Sequence, residues 1–505
     1  MTGARRASAA IVALAVVIGV VGKVRGATMV SPQAGAQTPT IHTSPESQGV
    51  AALVWRPCGP GVAQCSTLRV PLDYTVANGR TIAIAVTRVR ARLSTRRIGS
   101  LFVNPGGPGA SGIEFAQLLG RILDPSVTDR FDIVGFDPRG VGLSTPIRCV
   151  SGTTLDRIQH LDPSPDNNSE VEALQQAAKE LAQACGANNP ETLGHVDTID
   201  TARDMDRIRA ALGVPTITYL GFSYGTVLGL TYAQLFPQHL RAYALDGVLD
   251  PAVSLDDRNQ QQAVGFDRNL KAFLADCSQR PKCPFQAGGH PAEAFEALMA
   301  KVDASPIRVD SRWLGPAELT AAVVSQLYNT QRGWPRLARL LAAAERGDGR
   351  PALDRFDSYV DRHQDGTYDN TNEANLAVNC LDLPTPREPA HVVEEAQRIA
   401  HLAPVFGPAA VWYNAPCAYW PVPAVGLPAS VPRGAPAALL IGNTDDPATP
   451  YVWAQSVAKR LPDSMLLTYV HDGHTAYLSG PPCIRNAVNS YLVSLKPVVS
   501  GTTCR

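Results

Sequence analysis

The sequence predicts an α/β fold built on a mostly parallel central sheet, with a helical segment inserted late in the chain. Three observations carry that expectation. Short apolar-rich runs at 101–103, 131–137 and 217–220 have the pattern of strands buried on both faces. Segments of helical composition separate them, and within 198–212 the residues Ile199, Ala202, Met205, Ile208 and Leu212 fall on one helical face. After about Asp250 the strand runs stop and helical segments dominate to about Ala410. Runs at 437–441 and 465–470 then resume the sheet.

The 505 residues carry 45 basic and 45 acidic side chains, so nothing in the charge balance provides the basic stripe that nucleic-acid binding needs. Arg5-Arg6 followed by an uncharged Ala/Val/Ile-rich run at 7–22 reads as an export signal. Ala34-Gly35-Ala36 offers a small-residue cleavage site, which assigns 1–36 to a signal and leader. An uncleaved anchor is the one membrane attachment this pattern allows. Residues 37–54 continue a Ser/Pro/Gln/Thr-rich stretch and read as a disordered linker.

Ten scattered cysteines fit an extracytoplasmic location, secreted or on the cell envelope. No C-x-x-C pair points to zinc or redox chemistry. The spacing favours sequential pairing: Cys58–Cys65, Cys149–Cys185, Cys277–Cys283, Cys380–Cys417 and Cys483–Cys504.

A first core segment, 55–250, opens with a hairpin over 70–89, turning at Asn78-Gly79. The run at 101–103 ends in Asn104-Pro-Gly-Gly-Pro-Gly-Ala-Ser-Gly112. This loop lacks the Gly-Lys-Ser/Thr ending of a phosphate cradle, and its prolines remove amide donors. Free backbone N–H groups after a buried strand suit one half of an oxyanion hole better. The helical stretch 251–410 is expected to lie over the C-terminal sheet edge as a lid, and 411–505 returns to the core.

Gly221-Phe-Ser-Tyr-Gly225, between the run at 217–220 and a helix beginning near Thr226, has the strand–turn–helix context of a nucleophile elbow. A serine needs a base, itself oriented by an acid, and in such folds these follow in the order Ser, acid, His. The two late strands supply them, leading into Asp445-Asp446 and into His471-Asp472-Gly473-His474. The glycine before His474 lets that loop swing over the nucleophile, which favours His474 over His471. The residues alone leave Asp445 and Asp446 open.

The motifs at 104–112, 131–140, 221–226, 446–450 (Asp-Pro-Ala-Thr-Pro) and 473–475 (Gly-His-Thr) together resemble the secreted actinobacterial tripeptidyl aminopeptidases. These are α/β-hydrolase serine exopeptidases related to proline iminopeptidases, and the likeness runs from about Trp55 to Cys504. It implies an α/β-hydrolase fold with Ser223, Asp446 and His474 as a triad. It further implies Tyr224 and Gly107 (or Gly106) amides as an oxyanion hole, and a helical lid that limits access to peptide N-termini. A free α-amino group needs a carboxylate, for which Glu114 and Asp382 are the candidates. The expected activity releases short peptides from N-termini. Carboxylesterase or lipase action with the same triad, and an inactive binding protein, are the competing readings. The chemistry requires no metal or organic cofactor, and nothing in the sequence speaks to oligomeric state.

Overall fold

Successive side chains of a strand point to opposite faces, so a strand apolar throughout must be covered on both. Leu101, Val103, Leu220 and Phe222 join one apolar cluster with Phe115, Leu119 and Ile484. Their strand neighbours Phe102 and Tyr219 join a second with Met205, Ile208, Leu228 and Val457. A computed structural model describes residues 52–59, 62–428, 432–461 and 463–505 of the chain. The expected leader, with its run at 7–22 and the site at Ala34–Ala36, lies outside the described residues. Among those described, no helix is long and apolar enough to cross a membrane.

The strands are β1 (Arg56–Pro57), β2 (Ala63–Pro71), β3 (Thr81–Val89), β4 (Gly99–Asn104), β5 (Phe131–Phe136), β6 (Ile217–Phe222), β7 (Leu240–Asp246), β8 (Ile307–Val309), β9 (Arg312–Leu314), β10 (Ala438–Asp445), β11 (Met465–Asp472) and β12 (Thr502–Cys504). The main sheet runs β1-β2-β3-β5-β4-β6-β7-β10-β11-β12. The hairpin β2–β3 is antiparallel and β3 joins β5 antiparallel, whereas every pairing from β5 to β12 is parallel. Parallel strands all deliver their C-terminal ends to one edge, and ligands bind outside that edge in open α/β sheets.

Several details depart from the sequence reading. Strand β7 starts at Leu240, ahead of the expected run, and β12 was not foreseen. At three residues β12 is too short to show a period, and it is held beside β11 through Leu467–Thr502 pairing and the Cys483–Cys504 bond. The stretch between β7 and β10 also contains the small antiparallel hairpin β8–β9, where no strand was expected. Otherwise it is helical, with long helices at Leu255–Ser278, Pro291–Ala304, Gly333–Glu345 and Thr371–Asp382. The first three share an apolar core that includes Phe266, Phe273, Leu327, Leu341 and Trp412 and reaches Ala448 beside the sheet edge, whereas Thr371–Asp382 packs Leu376, Ala377 and Leu381 against Tyr224, Val227 and Trp453. The ten cysteines join as five disulfides in sequential order: Cys58–Cys65, Cys149–Cys185, Cys277–Cys283, Cys380–Cys417 and Cys483–Cys504.

Candidate active site

Strand β6 ends at Phe222 and the helix Tyr224–Leu235 begins two residues later, so the chain must reverse within Ser223. It does so at φ 53°, ψ −124°, a conformation that a serine adopts only where its surroundings hold it. The helix starts at Tyr224 rather than near Thr226. The flanking glycines are required by contact: a Cβ at Gly221 would strike the Gly225 carbonyl, and one at Gly225 would lie 2.7 Å from Asn104 Oδ1. The Ser223 hydroxyl makes no capping bond to its own helix, which leaves it available at the sheet edge.

The loop after β4 folds against this turn. A Cβ on Gly106, whose φ is 102°, would meet Phe222 O at 2.6 Å and Ser223 Cβ at 2.9 Å. Gly106 donates its N–H to Asn104 Oδ1 at 2.9 Å. Of the two amides named from sequence, Gly107 is thus the one that no bond within the loop consumes. The Tyr224 amide, at the first position of its helix, has no acceptor inside the helix. Two backbone donors beside a free hydroxyl can hold an oxygen on which negative charge develops.

The late strands bring the acid and the imidazole together. His474 Nδ1 lies 2.9 Å from both carboxylate oxygens of Asp446. Asp446 is fully buried and also accepts from Ala448 N, Thr449 N and Thr449 Oγ1, while His474 is 8% exposed. With Nδ1–H donated to the carboxylate, Nε2 carries the lone pair, the tautomer a general base needs. Of the two acids at 445–446, Asp446 is the one that bonds the imidazole; Asp445 lies 3.7 Å from Arg268 and accepts from the Thr444 hydroxyl. His471 stacks on Tyr469, its Nε2 lies 3.1 Å from Thr330 Oγ1, and burial lowers its pKa.

One residue with no role assigned from sequence joins the two halves. Asp246, at the end of β7, accepts the Ser223 N–H on its backbone carbonyl at 2.9 Å. Its carboxylate accepts the amides of Ala476 (2.9 Å) and Tyr477 (2.8 Å), just past His474. Burial pushes this carboxyl up to about 6, against the pull of those two amides and of His474. A lone acid closing an apolar strand was the signal the sequence held.

The carboxylates considered for an amino group differ sharply. Asp382 is buried and both its oxygens are taken, by Thr198 N at 2.9 Å and Thr198 Oγ1 at 2.6 Å. Burial pushes it up to about 7 and the same burial brings nearby Arg258 down to about 10. Thr198 also bonds the Tyr224 hydroxyl, so Asp382 underpins the elbow helix. Glu114 reaches solvent in the first turn of the helix Gly112–Ile122, where its N–H is capped by Ser111. Partial burial and the neighbouring Asp137, Asp369 and Asp361 push its carboxyl up to about 7. Among the described residues no cluster of His, Cys, Asp or Glu could hold a metal ion.

A family model described as alpha/beta hydrolase fold matches residues 99–481. The serine protease Hip1 of Mycobacterium tuberculosis (strain ATCC 25618 / H37Rv) is 36% identical over 476 residues, 89% of this chain and 90% of that protein. Carboxylesterase B of the same strain is 36% identical over 442 residues, covering 85% and 84%. The tripeptidyl aminopeptidase of Streptomyces lividans is 32% identical over 471 residues, covering 90% and 87%. Likeness of this extent, over a fold that sets a strained serine at the edge of a parallel sheet, makes the chain a serine hydrolase belonging to the α/β-hydrolase family, alongside these relatives.

Proposed function

We propose that the protein is an exported serine exopeptidase that releases short peptides from the N-termini of peptide substrates through a Ser223–His474–Asp446 triad. The observation that carries this is the Asp446–His474 pair, buried beside the strand end that also bonds the Ser223 amide. The Streptomyces relative's name supports the aminopeptidase reading. Five disulfides support an oxidising compartment, the secreted or envelope location expected of the leader.

In the mechanism, His474 Nε2 takes the Ser223 proton as Oγ attacks the peptide carbonyl, and Asp446 stabilises the imidazolium. The Tyr224 and Gly107 amides hold the tetrahedral oxyanion. His474 then gives its proton to the leaving amine, and the acyl-enzyme remains on Ser223. Water, deprotonated by His474, attacks that ester, and the resulting tetrahedral adduct collapses as His474 returns the proton to Ser223 Oγ, freeing the acid product and restoring the enzyme. No step calls for a metal or cofactor. The helical insertion acts as the lid over this edge, and Glu114, whose carboxylate is not engaged by a backbone partner as Asp382 is, reads the substrate ammonium.

A carboxylesterase with the same triad is the second reading, favoured by the relative of that name. The test compares peptides with free and acetylated amino termini against p-nitrophenyl esters, with Ser223→Ala as control. Rapid, Ser223-dependent release of short N-terminal peptides from free-amine substrates alone is the expected result. Ester hydrolysis without peptide cleavage would leave the second reading standing.

A further inference from the structure

The loop that carries the Gly107 amide has glycine at 106, 107 and 109, each at positive φ, and two prolines with no N–H. Such a segment has few bonds with which to hold itself, since its one internal side-chain bond is Asn104 Oδ1 to the Gly106 amide. Ser111, at the end of the loop, bonds Asp137 of the core at 2.6 Å, whereas the middle at Pro108 and Gly109 is held from the insertion, by the helix Thr371–Asp382. Gly109 presses on that helix so closely that a Cβ would collide with the Thr371 carbonyl and lie 3.0 Å from Asn375 N. Asn375 Nδ2 donates to the Pro108 carbonyl at 2.9 Å. Its Oδ1 accepts from Asn379 Nδ2 at 2.9 Å and lies 3.3 Å from the Tyr413 hydroxyl, whose one proton it shares with Asn372 Oδ1 at 3.4 Å. With donors facing its oxygen and a carbonyl facing its nitrogen, the amide has one orientation that satisfies every partner.

We propose that Asn375 is a positioning residue for the oxyanion hole: the insertion, through this side chain, fixes the loop that aims the Gly107 N–H at the developing oxyanion. A donor aimed by preorganised structure acts without reorganisation at the moment of reaction, whereas a wandering one loses most of its effect. The insertion then supplies part of the catalytic geometry as well as covering the site. The inference rests on the acyl-enzyme reading given above.

The test uses Asn375→Asp, nearly isosteric but unable to donate when ionised, and Asn375→Leu, which keeps the volume. Active sites are first counted by exhaustive fluorophosphonate labelling, so that misfolded protein drops out of kcat. The expected result is a kcat per labelled site lower by roughly ten- to a hundredfold, short of the loss of a whole donor. KM should stay within about threefold, and the affinity of a peptide aldehyde, whose adduct carries the oxyanion, should fall by the same factor as kcat/KM. If neither variant folds, Tyr413→Phe removes one orienting bond without touching the loop and should give a smaller change of the same pattern. Unchanged kcat per site and aldehyde affinity in the variants that fold would overturn the inference. Absence of any Ser223-dependent labelling in the wild-type protein would instead remove the acyl-enzyme reading beneath it.

Discussion

Both carboxylate oxygens of Asp246 lie within hydrogen-bond reach of the Ala476 amide nitrogen, at 2.9 and 3.0 Å, and one of them also takes the Tyr477 amide. The same residue's carbonyl holds the Ser223 N–H, so one strand end fixes the turn bearing Ser223 and the loop bearing His474. Asp246→Asn turns one acceptor into a donor and leaves a buried N–H without a partner, a loss of about 1–3 kcal/mol. Expressed at the transition state, that is roughly a ten- to hundredfold fall in kcat. Steady-state kinetics of the variant, with labelling by a fluorophosphonate to count competent sites, check it; kcat near wild type would remove Asp246 from the machinery.

The same carboxyl gives a pH prediction whose two parts have opposite signs. Its folded value of about 6 lies above the ordinary 3.8, because burial disfavours the charge. Between those values the native chain holds a proton that the unfolded chain has released, so this group's contribution favours folding at low pH and is lost as pH rises through about 6. Activity runs the other way, since protonation spoils an acceptor for the His474 loop as pH falls through the same value. In Asp246→Asn the acid limb of kcat should lose its component near 6. An identical limb in both proteins would assign that titration elsewhere.

The fold was legible where residues reveal their faces, and the site where motifs end strands. Runs such as Leu101-Phe102-Val103 and Leu439-Leu440-Ile441 split between two clusters as period-two strands must. Strand β12 and the hairpin β8–β9 were not legible, since three residues show no period and their pairing comes from tertiary contacts. Ser223 stands out as a candidate by the glycines on either side of its turn and His474 by the glycine before it. The choice of Asp446 over Asp445 comes from the family resemblance, because the residues alone do not say which carboxylate the chain turns inward after β10. Asp246 and Asn375 act through backbone groups far along the sequence, and no local pattern encodes such partners.

That inward turn yields a sharp contrast between neighbours. Asp446→Asn should lower kcat by about 10⁴-fold, because an amide favours the wrong imidazole tautomer. Asp445→Asn, which disturbs a half-exposed acid facing Arg268, should leave kcat within about threefold, as substitutions outside the machinery do. His471→Ala should resemble the latter, and His474→Ala the former. Rates measured side by side on one peptide decide it, and comparable losses at 445 and 446 would dissolve the assignment.

The Cys380–Cys417 bond fastens the helix carrying Asn375 to the turn Ala415–Tyr419. Its ends are 37 residues apart, for which loop-closure entropy alone gives about 4 kcal/mol. The double variant Cys380→Ala/Cys417→Ala should therefore lose about 2–4 kcal/mol by denaturant titration. Through the helix it should also loosen the Pro108 contact, so kcat per competent site should fall before the protein unfolds. A stability loss with kcat per site unchanged would confine this disulfide to folding.

Glu114 has to be ionised to bind an ammonium group, yet burial, with added repulsion from Asp137, Asp369 and Asp361, holds its carboxyl up at about 7. An arriving cation relieves that repulsion, so ammonium binding and ionisation of Glu114 favour each other. As pH falls through about 7, Glu114 takes a proton and KM for free-amine peptides should rise, whereas acetylated peptides should show no such change. The ratio of kcat/KM for the two substrates cancels the titration of the triad, because both pass through the same Ser223 and His474. Glu114→Gln should flatten that ratio across pH and raise KM for free-amine peptides by about tenfold, the equivalent of one charge-assisted bond. If KM rose equally for blocked peptides, Glu114 would be shaping the loop instead of reading the amine, and the preference for N-termini would have to come from the insertion alone.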